Sequence, residues 1–253
     1  MTTVGHQLDV LVELARRDVR LRYRGSVLGL GWAQLAPLAQ LAVMTVVFTR
    51  VVPLEIEDYP AFLLVGLLAW QWFAGGMQAA TRAIQSGRDL LHRPGFAAEL
   101  LPPVALASQG LVFLLALPVA LVVVVASTGR LPVTALAVPF VAAVQALVLA
   151  GPAWLLATAQ VRSRDVAQLV SVAMVPLFYA TPVLYSSDHV PDTLRAVTNL
   201  NPMAHLLEAY RDALVGGRWP SPVLLVLAAL GVAGAVAGRA VCRRALPTLV
   251  DRL

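Results

Sequence analysis

The sequence contains no lysine, since all 19 of its basic residues are arginine. A nucleotide-binding P-loop uses a lysine to contact the phosphates, and a Schiff base forms on a lysine amine. The chain therefore has neither a Walker A site of its own nor Schiff-base chemistry. It also has a single cysteine, Cys242, which excludes an intrachain disulfide framework and a metal site built from cysteines.

Charged residues are scarce, and their scarcity defines the class of protein. They make up 13% of the chain, while hydrophobic residues make up 59% and the mean hydropathy is +0.77. A soluble globular chain would have roughly 25% charged residues, so these values indicate a polytopic membrane protein. The long apolar stretches hold no carboxylate to bind a coupling ion, which disfavours proton- or sodium-driven transport.

Six stretches free of Asp, Glu, Lys and Arg are each long enough to cross a bilayer. A helix needs about 20 residues to span a hydrocarbon core of about 30 Å. We therefore expect an all-α polytopic membrane protein with six transmembrane helices in one domain, residues 1–253. The expected spans are about 27–50, 60–81, 102–128, 131–160, 166–186 and 220–241.

The distribution of arginine predicts the orientation of these spans, because basic segments resist translocation. An even number of spans places both termini on the same side of the membrane. With the termini inside, 14 arginines lie in inner segments and five in outer segments. This bias predicts a multi-pass protein of the cytoplasmic membrane with both termini in the cytoplasm.

An amphipathic helix precedes the first span. Five arginines lie within residues 16–24, next to its apolar stripe. We expect residues 6–24 to form an interfacial helix along the membrane surface. The apolar stripe, with helical spacing, consists of Leu8, Leu11, Val12, Ala15 and Val19.

Two connecting segments are too long to be simple turns. The inner one, residues 82–101, is interrupted by Pro94 and is expected to form a structured elbow facing the cytoplasm. The outer one, residues 187–219, contains a helix capped by Asn201, with Pro202 at its first position. About fourteen residues span about 21 Å, so this helix either lies on the outer interface or enters the membrane and returns.

Two polar groups in the outer segment leave more than one interpretation open. His205 and Glu208, three residues apart, are similar to half of a metal site, but a solvated helix face is the simpler interpretation. Asp188, His189 and Asp192 are candidates for acid–base chemistry on a sugar or lipid, or are ordinary surface charges.

A group of aromatic residues falls inside the second span. Trp70, Trp72 and Phe73 belong either to an interfacial aromatic belt or to a surface on which sugar rings or lipid stack in a pore. Tyr179 and Tyr185 are further candidates for such a surface.

Together these segments resemble the membrane subunit of ABC-2 type exporters, specifically the polysaccharide and polyol-phosphate permeases related to O-antigen and teichoic acid transporters. The resemblance covers almost the whole chain and rests on the order and spacing of three groups of residues. Where that family often has a proline after the elbow phenylalanine, this chain has Ala97. The matching residues are Asp18, Arg22, Tyr23, Arg24, Ser26, Leu28, Gly29, Trp32 and Pro37, then Leu90, Arg93, Phe96, Leu101 and Pro102, then Arg164, Asp165, Pro182, Val183, Tyr185, Asn201, Pro202, Arg211, Gly217 and Pro220.

The resemblance implies partners for the chain. The elbow would dock on a separate ABC nucleotide-binding subunit, which would carry ATP and Mg²⁺, and two copies of the chain, a homodimer, would enclose a pore in the membrane lipid. No cofactor, metal or nucleic acid is expected on this chain. The residues implied for ATPase coupling are Arg82, Arg88, Asp89, Leu90, Arg93, Phe96 and Glu99.

The resemblance also implies a path for the transported molecule. Arg20, Arg22, Tyr23 and Arg24 would attract the pyrophosphate of a lipid-linked glycan at the inner mouth, or would serve only for orientation and lipid headgroups. The five aromatic residues above would line the pore, and an external gate would comprise Asn201, Pro202, Tyr210 and Arg211.

The expected function is the transmembrane subunit of an ATP-driven exporter of lipid-linked polysaccharide, with no enzymatic activity of its own. Two alternatives remain open at this point: an ABC-2 exporter of a drug or small lipid, and an integral-membrane enzyme acting on lipid-linked sugars.

Overall fold

A computed structural model describes residues 3–26, 29, 31–51, 56–91, 96–187 and 190–250. Every regular element within these ranges is a helix, which confirms the all-α prediction. The α-helices are α1 (Thr3–Arg22), α2 (Gly31–Val46), α3 (Tyr59–Ser86), α4 (Arg88–Leu91), α5 (Leu101–Thr128), α6 (Val138–Arg162), α7 (Val166–Ala180), α8 (Asp192–Leu200), α9 (Pro202–Arg211) and α10 (Val223–Val250). Short π-helical segments follow α2 (Val47–Val51) and α9 (Asp212–Gly216), and 3₁₀ turns precede α5 (Ala98–Leu100) and α6 (Val133–Ala137).

Five helical segments in the described ranges are long and apolar enough to cross a membrane, which confirms a multi-pass protein. The predicted span at 166–186 is helical only over the 15 residues of α7, a length of about 22 Å. The chain leaves the helix at Thr181 and continues without regular structure. The five long segments are Gly31–Val51, Tyr59–Ser86, Ala98–Thr128, Val133–Arg162 and Val223–Leu246.

α3 is the central helix of the bundle. It packs against α2, α5, α6, α7 and α9, and most of its side chains are buried. Its sequence is apolar on all sides over Ala61–Trp70, which is typical of a helix surrounded by others. α2 and α10 lie at the periphery, where few of their side chains are buried.

The bundle has two chemically different ends. The basic end contains the last turns of α1, α3 and α10 together with α4; the opposite end contains the 3₁₀ turn before α6, and α8 and α9. At the basic end the Gln160 amide donates to Gln85 Oε1 and to the Arg164 carbonyl, both at 3.2 Å. Gln160 Oε1 accepts a hydrogen bond from the backbone nitrogen of Ala167 at 2.6 Å. One buried amide thereby ties together the ends of α3 and α6 and the start of α7.

Glycines allow α6 and α10 to approach closely. A Cβ at Gly151 would lie 2.7 Å from the backbone of Gly234, and a Cβ at Gly238 would lie 2.6 Å from the Gly151 carbonyl oxygen. Gly231 faces the backbone of Leu147 at 2.9 Å in the same way. Small residues at such spacing let membrane helices pack through their backbones.

This packing predicts different outcomes for two glycines that are one turn apart on α10. Gly238→Ala should destabilise the protein by about 1–3 kcal/mol, since the added methyl overpacks the contact with α6. Gly234→Ala should be neutral or slightly stabilising, because a Cβ there has nothing within 4 Å and alanine favours the helix. Thermal unfolding of the purified variants in detergent measures the difference. Equal melting temperatures would show that the close contact is absent.

Candidate functional site

A groove of about 760 Å³ opens at the basic end between α1, the last turns of α3, α4 and the start of α5. α1 rests on α5 here, because Ala15 and Val19 of its apolar stripe are buried. The Ser108 hydroxyl also donates to the Ala15 carbonyl at 3.4 Å. Charged side chains line both walls of the groove: Arg17, Asp18, Arg22, Arg82 and Asp89.

One of the four residues predicted for substrate entry, Arg22, lies in the wall of this groove. Its guanidinium pairs with Asp18, one turn earlier on α1, at 3.1 Å. Arg20 and Arg24 are exposed, and Tyr23 is half-buried. The four residues thus lie at the end of α1 and just after it, at the basic end of the bundle.

The residues predicted for ATPase coupling differ in how far their side chains are exposed to solvent. Arg93 lies outside the described residues. The exposed residues are Arg82, Arg88 and Asp89, and the half-buried residues are Leu90 and Phe96. The exposed charges make an accessible polar face at the basic end, and Arg82 and Asp89 of this face also line the groove.

Glu99, the last of the predicted coupling residues, points into the protein. Its side chain is 11% exposed and pairs with Arg239 at 2.7 Å and with Arg243 at 3.0 Å. Its backbone carbonyl accepts a hydrogen bond from the indole nitrogen of Trp154 at 2.7 Å. The segment before α5 is therefore fastened to α10 by ion pairs and to α6 by a hydrogen bond.

Four of the five candidate pore aromatics lie near one another: Trp70 and Phe73 on α3, Tyr179 on α7, and Tyr185 in the segment after α7. The Trp70 ring centroid is 5.0 Å from that of Phe73 and 5.5 Å from that of Phe178. The Tyr179 ring contacts the Phe178 ring edge-on, and Tyr179 is 63% exposed. The Tyr185 hydroxyl donates to the Tyr179 carbonyl at 2.9 Å. This aromatic group runs from the bundle interior to its surface.

Trp72, the fifth aromatic, has a different position. It is buried between α3 and α5, where its indole nitrogen donates to the Leu106 carbonyl at 3.1 Å. Its ring stacks on Phe113 with a centroid distance of 5.1 Å, and Gly110 makes room for it. These contacts give Trp72 a packing role between two helices.

At the opposite end, the non-helical residues 181–185 follow α7. Carbonyls that leave a helix inside an apolar bundle need donors from elsewhere, and Arg211 supplies them. Its Nη1 donates to the Pro182 carbonyl and its Nη2 to the Val183 carbonyl, each at 2.7 Å. Its Nε donates to the Phe62 carbonyl at 3.3 Å, and its Cζ lies 3.5 Å from the centroid of the Phe62 ring. Arg211 is 8% exposed, so this end of the fold is held by a buried cation.

Two residues that the sequence analysis does not identify complete this arrangement. Gly66 leaves space for the guanidinium, since a Cβ there would lie 2.6 Å from Arg211 Nη2 and 3.3 Å from the Val183 carbonyl oxygen. The Tyr59 hydroxyl donates to the Leu184 carbonyl at 3.2 Å. A single glycine or tyrosine in an apolar span has no spacing pattern that would reveal such a role.

α9 lies inside the helix bundle, with its apolar face buried against other helices. Met203, Leu206, Leu207 and Tyr210 are each no more than 2% exposed. The Tyr210 ring centroid lies 5.5 Å from that of Phe113, which is close to the midpoint of α5. α9 therefore enters the bundle from the opposite end, and the chain then returns.

The predicted cap of α9 is confirmed. Asn201 Oδ1 accepts a hydrogen bond from the Met203 backbone nitrogen at 2.9 Å, and Pro202 occupies the first position. The Asn201 amide also donates to Thr181 Oγ1 at 2.8 Å, so it joins α9 to the end of α7. His205 Nε2 contacts the Asn199 carbonyl oxygen at 2.8 Å.

The metal-site and acid–base interpretations of the outer segment concern the same region. Within the described ranges, no group of three or more His, Cys, Asp or Glu side chains is placed to hold a metal ion. Asp188 and His189 lie outside the described residues.

The sequence matches the ABC-2 type transporter family over residues 10–215. It is also similar to curated O-antigen export system permease proteins named RfbA. The protein from Myxococcus xanthus is 34% identical over 227 residues, which cover 88% of this chain and 87% of that protein. One from Klebsiella pneumoniae is 28% identical over 237 residues, which cover 93% of this chain and 91% of that protein.

The geometry at the opposite end predicts that Arg211→Gln is strongly destabilising. The change leaves buried carbonyls without donors, at about 1–3 kcal/mol for each unsatisfied group. Arg195→Gln is the matched control, since Arg195 pairs with Asp192 at 2.8 Å and the two side chains are 57% and 86% exposed. Surface pairs contribute about 0–1 kcal/mol. Thermal unfolding in detergent compares the two variants; similar losses would contradict a special role for the buried guanidinium.

Proposed function

Because the chain belongs to the ABC-2 type transporter family, we propose that it is the membrane subunit of an ATP-driven exporter of lipid-linked polysaccharide. The observation that carries this proposal is similarity along almost the whole chain to O-antigen export permeases. As a family member the chain is a transport subunit and not an enzyme. Since its sequence has no lysine for a P-loop, ATP and Mg²⁺ are bound by a partner, the nucleotide-binding subunit.

The basic end faces the cytoplasm in this proposal, with both termini on that side of the cell membrane. Basic segments resist translocation and are attracted to anionic inner-leaflet lipid. The exposed side chains of Arg82, Arg88 and Asp89 then form the surface on which the nucleotide-binding subunit docks. Closure of that subunit on ATP would displace the 82–101 segment and α1, which meet at the groove.

The groove is the proposed entry site for the anionic part of the substrate. A pyrophosphate linkage offers oxygen acceptors that arginine contacts in a bidentate manner. Arg17, Arg22 and Arg82 line the groove, and Arg20 and Arg24 add positive potential beside it. The adjacent position of α1 at the membrane surface would leave the lipid tail in the bilayer.

Two copies of the chain are part of the proposal, because α3 fills the centre of a single bundle. A passage for a sugar chain then forms between two bundles. The aromatic group of Trp70, Phe73 and Tyr179 reaches the surface of one chain, and sugar rings stack well on aromatic rings. At the outer end of such a passage, α9 and residues 181–185 would act as the gate.

The decisive experiment reconstitutes the chain with its nucleotide-binding subunit in proteoliposomes. ATP should drive a lipid-linked polysaccharide across the bilayer, and ATP hydrolysis should rise when that substrate is added. The chain without its partner should move nothing uphill. Stimulation by a drug or small lipid, with no response to a panel of lipid-linked glycans, would replace the polysaccharide by a small-molecule substrate.

The entry site predicts a change in substrate affinity when Arg22 is neutralised. Arg22→Gln should raise the glycan concentration for half-maximal ATPase stimulation by about tenfold, which corresponds to 1.4 kcal/mol. Arg195→Gln is the control, since Arg195 also pairs with a nearby acid on its own helix but lies at the opposite end. An unchanged half-maximal concentration for Arg22→Gln would remove Arg22 from the entry site.

A further inference from the structure

Glu99 is an acidic side chain that the fold has turned away from the docking surface. It lies in the 3₁₀ turn Ala98–Leu100, within the proposed coupling segment, yet its carboxylate is 11% exposed. Both oxygens are engaged: Oε1 accepts hydrogen bonds from Arg239 at 2.7 and 3.2 Å, and Oε2 pairs with Arg243 at 3.0 Å. A docking residue would present its charge to the partner. This carboxylate does not, so we expect it to have a role other than docking.

The two arginines lie four residues apart on the same face of α10. Without the carboxylate between them, their like charges would repel. Loss of Glu99 would therefore both release the coupling segment from α10 and push the arginine side chains apart. The Trp154 hydrogen bond to the Glu99 carbonyl would remain, so the segment itself keeps an anchor on α6.

α10 connects this ion-pair cluster to the opposite end of the bundle. Leu224 and Leu227, near its start, are buried in the same core cluster as Leu206 and Leu207 of α9. Leu224 and Arg239 are 15 residues apart, about 22 Å along a helix. Between these points α10 is pressed against α6 through the glycine contacts, which leave little room for bending.

We propose that Glu99 is a positioning residue that makes α10 follow the coupling segment, and that α10 carries this displacement to α9. This inference rests on the proposed function, because it assumes that a nucleotide-binding subunit moves the segment. It assigns to the peripheral helix α10 a mechanical role, and to a side chain inside the coupling segment a role separate from docking.

The test uses the complex with its nucleotide-binding subunit in proteoliposomes, with each variant assayed as a monodisperse, folded complex. Glu99→Gln should lower the amount of glycan exported per ATP hydrolysed by about tenfold, within the usual range of coupling between sites, while ATP turnover stays close to wild type. Arg239→Gln should lower export per ATP in the same direction but by less, since the Arg243 pair remains. The double variant should be no worse than Glu99→Gln alone, since both changes act on the same ion-pair cluster. Arg243→Gln removes only the ion pair with the more exposed arginine. It should reduce export per ATP by a smaller factor, and it replaces Glu99→Gln in the test if that variant folds poorly.

Arg244→Gln is the matched control. Arg244 is the next residue on α10, is exposed, and lies about 100° around the helix from Arg243. The complex with Arg244→Gln should export as much glycan per ATP hydrolysed as the wild-type complex. If export and ATP turnover fall in the same proportion in Glu99→Gln, or neither changes, the positioning role is overturned.

A second measurement follows the displacement itself. Cys242 is the single cysteine and is buried, so a Cys242→Ala background gives a clean reporter. Glu208→Cys on the exposed side of α9 is labelled with a membrane-impermeant maleimide in the presence and absence of ATP. ATP should change the labelling rate in the otherwise wild-type chain, and Glu99→Gln should abolish that change. A response to ATP that survives Glu99→Gln would overturn the inference, whereas a wild-type complex that exports nothing would instead overturn the proposed function.

Discussion

The fold at the opposite end depends on one constraint: a carbonyl that leaves a helix inside an apolar bundle must find a donor. Residues 181–185 create that demand, and Arg211 satisfies the carbonyls of Pro182 and Val183 with two hydrogen bonds of 2.7 Å. Arginine suits the position because its planar guanidinium offers several donors in a fixed geometry. The positive charge is tolerated because carbonyl oxygens and the face of the Phe62 ring surround it. A neutral donor of the same length does not exist among the side chains.

The same contact explains why α9 and residues 181–185 behave as one unit. Asn201, at the start of α9, binds Thr181, and Arg211, at its end, binds Pro182 and Val183. Both ends of a ten-residue helix are thereby fixed to one short segment. The apolar face of α9 then packs into the core of the bundle. If this unit is the proposed gate, it would open by moving as a whole against α3 or α10, because separating its two parts would expose several unpaired polar groups.

Much of the framework could be predicted from the sequence, because the relevant signals are local. Charge-free runs predict the long helices, and the Asn201–Pro202 pair predicts the cap of α9. The early end of α7, the insertion of α9 and the inward turn of Glu99 depend on contacts between distant positions. Gly66 leaves space for the side chain of Arg211, which is 145 residues away, and Glu99 forms an ion pair with Arg239, which is 140 residues away. No local pattern in either segment specifies such a pairing.

Two charged side chains, Glu99 and Arg211, are buried at opposite ends of the bundle. Their charges are neutralised in different ways. Glu99 is matched by full positive charges, so its attachment can be released or re-formed at a polar, partly exposed site. Arg211 is matched by backbone carbonyls inside the core, where separation costs more because water cannot replace the lost hydrogen bonds. In the proposed mechanism, a displacement that starts at the basic end would therefore act first on the more adjustable connection, and the unit at the other end would move without coming apart. For a transport subunit whose nucleotide-binding partner is proposed to dock at the basic end, this asymmetry would match the direction in which the displacement travels.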